Sequence, residues 1–243
     1  VPAWAVAREH SDALGEIWSG SVVVDWDNSS GLQTGAEKVL VAHFTHFDSG
    51  LQQQSLAYSN DRGRTWTKYP HNPIISNPGL VDFRDPKVFW HPATNRWIMV
   101  LVVGDHVRIY RSSDLIAWDW LSDFGRGHGA QGGVWECPDL FPLQLPDDPD
   151  PTKWVLLVSV NSGAPNGGTG TQYFVGDFDG QQFTNAHPPE MVLWLDYGCD
   201  NYASVTFSGI PPEDGRRIAL GWMNNWAYAE RTPTRPWRGA PTW

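Results

Sequence analysis

Two carboxylates stand in stretches that otherwise have the composition of buried β-strands. Asp85 occurs in F-R-D-P-K-V-F-W, and Glu136 occurs in G-G-V-W-E-C-P-D-L-F. A charge among apolar neighbours costs several kcal/mol unless it is paired, so each group must have a partner or serve in chemistry. Two carboxyl groups, one protonated and one ionised, are what the hydrolysis of a glycosidic bond requires.

The neighbours of the two carboxylates suggest different roles for them. Trp135 and other carboxylates nearby would favour the protonated form of Glu136, as a general acid needs. Arg84 precedes Asp85 and could stabilise its negative charge, or support it from one side, since neighbours on a strand point to opposite faces. Alternatively, Asp85 and Glu136 only open strands and accept hydrogen bonds from backbone N–H groups.

A repeat of about 50 residues supplies the elements that must position these groups. Its tail occurs as Y-S-N-D-R-G-R-T-W from Tyr58, as Y-R-S-S-D-L-I-A-W from Tyr110 and, more weakly, from Tyr173. Four pairs of apolar stretches share the repeat: S-G-S-V-V-V-D-W with K-V-L-V-A-H-F, F-R-D-P-K-V-F-W with R-W-I-M-V-L-V-V, W-E-C-P-D-L-F-P-L with K-W-V-L-L-V-S-V, and D-N-Y-A-S-V-T-F with R-R-I-A-L-G-W-M. Units of this length with about four strands favour a propeller over a sandwich.

A propeller would bring the starts of its innermost strands together. Asp85 and Glu136 lie one repeat apart, so we expect equivalent positions of adjacent blades to present carboxylates, with Asp200, to one axial pocket. Within the first repeat tail, S-N-D-R-G-R-T-W predicts a hairpin turn. There, Asp61 caps the turn, Gly63 adopts positive φ and Trp66 packs underneath.

Composition excludes several classes of function. Hydrophobic residues make up 41% of the sequence and charged residues 18%, which is typical of a globular protein. The net charge of −10 argues against a nucleic-acid partner, because the phosphates would be repelled. No apolar run reaches the roughly 20 residues of a membrane helix. No metal-ligand spacing occurs, so neither a metal nor another cofactor is predicted. The 15 Trp residues fit a Trp-rich core or a site that packs indoles on sugar rings.

The R-D-P and E-C-P motifs resemble those of glycoside hydrolase family 32, the invertases, exo-inulinases and levanases. Further stretches, including E-I-W-S-G-S and G-W-M-N-N-W, match in order over nearly the whole chain. The resemblance implies an all-β fold, a five-bladed β-propeller of which about four blades are present. Residues 1–243 would then form a partial catalytic domain without the first blade or the C-terminal β-sandwich.

The resemblance also implies roles for individual residues in cleaving β-fructosides such as inulin, levan and sucrose with retention. Glu136 would be the acid/base and Asp85 the transition-state stabiliser. The implied sugar contacts are those of Arg84, Trp18, Ser19 and Trp226. Cys137 would tune Glu136 rather than act as a nucleophile. The resemblance implies a secreted protein, although no signal peptide opens the printed sequence.

One departure from the family pattern changes the expected activity. The family's nucleophile is the Asp of W-M-N-D-P-N-G, and no N-D-P-N occurs in the 243 residues. Its place in the family's order would be upstream of Val1. Because double displacement needs that nucleophile, we expect the chain alone to be inactive. The alternatives are a non-catalytic carbohydrate-binding propeller and, less favoured by the motifs, a five-bladed glycosidase acting on arabinan or xylan.

Overall fold

The computed structural model describes residues 11–145, 152–211, 213–231 and 233. Almost all regular structure in these ranges is β-strand. The strands are β1 (Glu16–Asp25), β2 (Val39–Asp48), β3 (Leu51–Ser59), β4 (Thr67–Lys68), β5 (Phe83–His91), β6 (Arg96–Val103), β7 (His106–Ser112), β8 (Asp119–Phe124), β9 (Trp135–Gln144), β10 (Thr152–Val160), β11 (Gly170–Phe178), β12 (Phe183–Asn185), β13 (Leu193–Trp194), β14 (Tyr202–Thr206) and β15 (Ala219–Trp222). A short 3-10 helix spans Ala229–Arg231, and no helix in the described ranges has the length and hydrophobicity to span a membrane.

The strands form sheets of consecutive antiparallel neighbours. Two sheets have four strands in the orders β1-β2-β3-β4 and β5-β6-β7-β8, and a third runs β12-β11-β10-β9, with β13 pairing β11. A two-stranded sheet joins β14 and β15. Each of the four predicted strand pairs is therefore the first two strands of one sheet, as a blade repeat requires. That residues 1–243 form a partial domain, without the first blade and the C-terminal β-sandwich, stays a prediction.

The chain divides into two compact units. One comprises Val1–Asp123 with Gly180–Gln182, and the other comprises Phe124–Asp179 with Phe183–Trp243. The first unit contains the sheets of β1–β4 and β5–β8, and the second contains those of β9–β13 and β14–β15. Asp85 belongs to the first unit, and Glu136 and Asp200 belong to the second.

The core of the first unit forms where central strands are buried on both faces. Strand β6, R-W-I-M-V-L-V-V, is buried at every residue after Arg96, because its run of large apolar side chains suits both faces of a covered strand. The cluster around it contains Val41, Leu56, Phe83, Met99 and Leu101, all fully buried. Complete burial of each such side chain stabilises the fold by about 1.5–3 kcal/mol.

The hairpin turn between β3 and β4 has the predicted structure. Asp61 Oδ1 accepts hydrogen bonds from the N–H groups of Arg64 and Thr65 at 3.0 and 2.9 Å, and Gly63 has a φ of 82°. Trp66 packs against a cluster that contains Phe44. The hydrogen bonds, led by that from Thr65 N–H, lower the pKa of Asp61 to about 2.

Three polar residues of β2, His43, Thr45 and His46, are buried and need partners within the protein. His43 is fully buried, and its Nε2–H donates to the carbonyl oxygen of Leu115 at 2.8 Å. Burial, the larger effect, lowers the pKa of His43 to about 4, although the hydrogen bond to Leu115 acts in the opposite direction. The imidazole of the folded protein is therefore neutral at pH 5.

We expect His43 to make folding sensitive to acid. The unfolded chain takes up a proton near pH 6.5, whereas folded His43 does so only near pH 4. Between these values the unfolded state binds more protons, so the free energy of unfolding falls as the pH is lowered, by about 2–3 kcal/mol from pH 7 to 4.5. Denaturant unfolding at both pH values should show a smaller loss for His43→Gln. Exposed His71, replaced in the same way, is the control, and equal losses in all three proteins would contradict the assignment.

Candidate active site

The first strand of every sheet is interrupted by a β-bulge near its start. The register shifts lie between Ile17 and Gly20 in β1, between Arg84 and Lys87 in β5, opposite Leu157–Ser159 in β9 and between Tyr202 and Val205 in β14. A bulge adds a residue on one strand and redirects its side chain, and bulges are frequent next to active sites. All the residues predicted to do chemistry on β1, β5 and β9 lie at these bulges.

Three of the bulges contain a residue in the left-handed backbone region. These are Asp85, Cys137 and Ala203, with φ of 61°, 48° and 54°. Asp85 is thus equivalent to Cys137, and Glu136 is equivalent to Arg84. The prediction that Asp85 and Glu136 occupy equivalent positions is wrong by one residue, because hydrophobic patterning does not reveal which residue a bulge adds.

The Asp85 bulge is buried and held by polar neighbours. Asp85 and Arg84 are each 7% exposed. The N–H of Asp85 donates to Thr45 Oγ1 at 3.0 Å. Arg84 Nη1 donates to Asp82 Oδ1 at 2.5 Å and lies 3.4 Å from Gln52 Oε1. Both predicted arrangements of Arg84, beside the charge of Asp85 or supporting the site from one side, stay predictions.

Trp18 and Ser19 form the bulge of β1. The indole of Trp18 stacks on Phe47, with ring centroids 4.1 Å apart and an angle of 16° between the planes, and its N–H donates to Glu16. Ser19 is exposed. Trp18 therefore presents a held aromatic ring, half-buried, beside exposed Ser19.

Ser21, two residues after Ser19, was missed by the sequence analysis. Its Oγ donates to the carbonyl oxygen of Pro86 and accepts from the N–H of Val88, both at 2.9 Å. The same hydroxyl therefore fixes β5 directly after Asp85. Ser21 is the second serine of the S-G-S stretch. A hydroxyl on a strand that packs against a bulged strand can bond the backbone groups that the bulge leaves without partners in the sheet.

Glu136 is half-buried at the start of β9, and its partner is an aromatic hydroxyl. The hydroxyl of Tyr202 donates to Glu136 Oε2, and Tyr202 is only 2% exposed. Trp135, expected beside Glu136, instead packs its ring on Phe174 and donates from its indole N–H to the carbonyl oxygen of Ala130 at 3.0 Å. Alternation along the strand separates the two side chains. Tyr202 was missed, although it occupies the same position before its bulge as Glu136 does.

Trp226 closes a row of aromatic rings that begins at Tyr202. Tyr202 lies 6.3 Å from Trp222 between centroids, and Trp222 lies 4.9 Å from Trp226. Trp226 is 53% exposed, so it offers a large indole surface to solvent. Asp200 lies in the same unit, is exposed and accepts a hydrogen bond from the hydroxyl of Tyr228.

The loop that carries Trp226 is anchored by the buried amide of Asn225. Its Nδ2 donates to the carbonyl oxygens of Cys199 and Gly167 at 2.9 and 3.2 Å. Its Oδ1 accepts from the N–H groups of Thr169 and Ala227 at 3.1 and 2.9 Å. Asn225 therefore ties three chain segments together directly beneath Trp226, a role that no local sequence pattern signals.

Each unit brings part of the predicted site together. The first contains Trp18, Ser19, Arg84 and Asp85, and the second contains Glu136 and Trp226. An axial pocket shared by Asp85, Glu136 and Asp200 stays a prediction, since these carboxylates belong to different units.

Comparison with known proteins identifies the motifs at these bulges. The family model described as "Glycosyl hydrolases family 32 N-terminal domain" matches residues 2–243. The chain belongs to glycoside hydrolase family 32. The sheets are those of family 32 propeller blades, which confirms the predicted all-β propeller class.

Family 32 relatives are similar along nearly the whole chain. A levanase of Bacillus subtilis is 58% identical over 95% of this chain and 34% of its own length. An extracellular exo-inulinase of Aspergillus ficuum is 40% identical over 98% of this chain and 49% of its own length. The structure of a fructofuranosidase from Schwanniomyces occidentalis complexed with fructose has a TM-score of 0.87 and 38% identity, and covers 96% of this chain and 45% of that one. This chain thus spans at most about half the length of these family 32 relatives.

Proposed function

We propose that this chain is the acid/base and fructosyl-binding part of a retaining β-fructosidase that releases fructose from levan, inulin or sucrose. The observation that carries the proposal is Glu136, half-buried at the start of a bulged strand in the E-C-P motif, with the hydroxyl of buried Tyr202 donating to it. Relatives named levanase and exo-inulinase support the choice of β-fructosides as substrates. The extracellular exo-inulinases among them support secretion.

Each residue has a role that its geometry permits. Glu136 donates a proton to the glycosidic oxygen and then removes one from the attacking water. Asp85, supported by Arg84, accepts hydrogen bonds from fructosyl hydroxyls and stabilises the positive charge that develops at the anomeric carbon. Trp18 and Trp226 pack on the apolar faces of sugar rings.

The nucleophile must come from sequence other than the 243 residues, which contain no N-D-P-N motif. The test therefore compares this chain with the polypeptide translated from the complete open reading frame that encodes it. We expect the complete polypeptide to release fructose with retained anomeric configuration, observed by NMR during the first minutes, and this chain to release none. Fructose release by the purified 243-residue chain that Glu136→Gln abolishes would contradict the proposed division of roles.

Because the 243 residues contain no N-D-P-N motif, a second function is also considered, that of a non-catalytic carbohydrate-binding propeller. Sequencing upstream of the Val1 codon decides between the two. A frame that continues into a W-M-N-D-P-N-G-like segment supports the fructosidase. A complete frame without one, combined with fructan binding but no turnover, supports the binding module. A panel of chromogenic glycosides tests for activity on arabinosides and xylosides.

Tyr202→Phe in the complete enzyme should lower kcat by about tenfold with little change in KM. The substitution removes only the hydroxyl that orients Glu136, and a hydrogen bond to the neutral acid contributes about 0.5–1.5 kcal/mol, which is up to about tenfold in rate. Steady-state kinetics on sucrose measures the effect. Tyr197, which is 66% exposed, provides the matched Tyr→Phe control. An unchanged kcat in Tyr202→Phe would show that the hydroxyl does not orient the acid/base.

Asn225→Asp should raise KM by about tenfold while changing kcat less. The carboxylate cannot donate to the carbonyl oxygens of Gly167 and Cys199 and would be repelled by them. The loop that carries Trp226 would therefore lose its anchor. Asn224 is the matched control, since its Oδ1 accepts from Asn225 N–H and would still do so as a carboxylate. Equal KM values for the two variants would refute the anchoring role.

A further inference from the structure

We propose that Thr45 is a positioning residue for Asp85, which it holds by the main chain in the conformation that presents the carboxylate to the sugar. The proposal rests on the role of Asp85 in the proposed function. It concerns a residue on β2, a strand that contributes none of the predicted site residues.

The contacts of Thr45 form a closed link around the start of β5. Its Oγ1 accepts from the N–H of Asp85 at 3.0 Å and donates to Gln54 Oε1 at 2.9 Å. Gln54 Nε2 in turn donates to the carbonyl oxygen of Phe83 at 2.8 Å. Thr45 and Gln54 are both completely buried. One hydroxyl and one amide thus hold the strand on both sides of Arg84.

The bulge explains why such a link is needed. In the β5–β6 ladder Arg84 pairs with Val102, and the next pair is Lys87 with Val100, so Asp85 falls within the interruption. Its φ of 61° is uncommon for a residue with a side chain and persists only where the surroundings determine it. The hydroxyl of Thr45 takes the N–H of this displaced residue and thereby sets the direction of its side chain.

A second bulge, without a carboxylate, is held by the same kind of contact. Ser159 Oγ, on the second strand of its sheet, accepts from the N–H of Ala203 at 2.9 Å. Ala203 has a φ of 54°, and Ser159 is completely buried. A buried hydroxyl on a second strand therefore holds two of the three left-handed bulges. At Asp85 the residue that it holds carries the proposed sugar-binding group.

Two measurements on the chain test the proposal. The first is the hydrogen-exchange rate of the Asp85 amide by ¹⁵N NMR, and the second is the dissociation constant for fructose by titration. Thr45→Val keeps the shape and removes the hydroxyl, so we expect amide exchange at least tenfold faster and fructose binding at least tenfold weaker. Thr45→Ser restores the hydroxyl and should bring both values within about threefold of the wild type.

Two controls separate positioning from a general loss of stability. Thr65→Val makes the same change in the β3–β4 turn and should alter neither value for Asp85. Ser159→Ala removes the equivalent hydroxyl and should accelerate exchange at Ala203 but not at Asp85. If Thr45→Val does not fold, Thr45→Cys replaces it, because a thiol is a weaker acceptor and should give intermediate losses.

The outcomes are distinct. A folded Thr45→Val protein with unchanged Asp85 exchange and unchanged fructose affinity overturns the proposal. Faster exchange with unchanged affinity also overturns it, since the link would then be structural only. If the wild-type chain does not bind fructose, or if Asp85→Asn binds it equally well, the proposed function of Asp85 fails, while the exchange rates still decide whether Thr45 holds its main chain.

Discussion

Glu136→Gln is expected to lower kcat for sucrose and inulin by about 10²–10⁴-fold in the enzyme translated from the complete reading frame. The amide has nearly the shape of the acid and can still accept from the hydroxyl of Tyr202, but it has no proton to give to the leaving oxygen. KM should change little, because the fructosyl contacts belong to other residues. Steady-state kinetics with both substrates measures the loss.

The leaving group offers a sharper check of the same prediction. The phenolate of an aryl β-fructoside can leave without being protonated, so Glu136→Gln should slow the first step with this substrate far less than with sucrose. The fast first step would then be observed as a burst of released phenol. Glu190→Gln, at an exposed glutamate, is the control. Equal losses on sucrose and on the aryl fructoside would show that Glu136 is not the acid.

Asp85→Asn is expected to lower kcat/KM for all β-fructosides by about 10²–10³-fold. The change removes the negative charge that faces the developing positive centre, whereas Asn tolerates the left-handed conformation as well as Asp does. The backbone contact with Thr45 should therefore survive, and thermal melting should match the wild type. The loss should be independent of the leaving group, which distinguishes Asp85 from Glu136.

Asp27→Asn, at an exposed aspartate, controls for the loss of one charge from an acidic protein. A melting temperature lowered in parallel with activity would indicate that Asp85 serves the fold instead. Activity within about threefold of the wild type would remove Asp85 from the proposed mechanism.

Much of the architecture follows directly from patterning. Paired apolar stretches predicted the first two strands of all four sheets, because buried strands need long apolar runs whatever their neighbours are. The turn around Asp61 was predictable in detail, since Gly63 and the capping aspartate act within a few residues of each other. Local chemistry decides both features.

The parts that escaped prediction are contacts across sequence distance. Tyr202, Thr45 and Asn225 each lie far along the chain from the groups that they hold, so no window of sequence contains both partners. The offset between Asp85 and Glu136 escaped for another reason. A bulge shifts one residue without changing the alternation on either side of it, and therefore leaves no trace in the hydrophobic pattern.

The left-handed bulge residues have a consequence for how such a site can change over time. Asp85, Cys137 and Ala203 share a backbone conformation while carrying a carboxylate, a thiol and a methyl group. For two of them, a hydroxyl from another strand supports the main chain and makes no demand on the side chain. The side chain at such a bulge can therefore be replaced by a single mutation while the backbone conformation is kept. New specificities can arise in this way on an unaltered sheet.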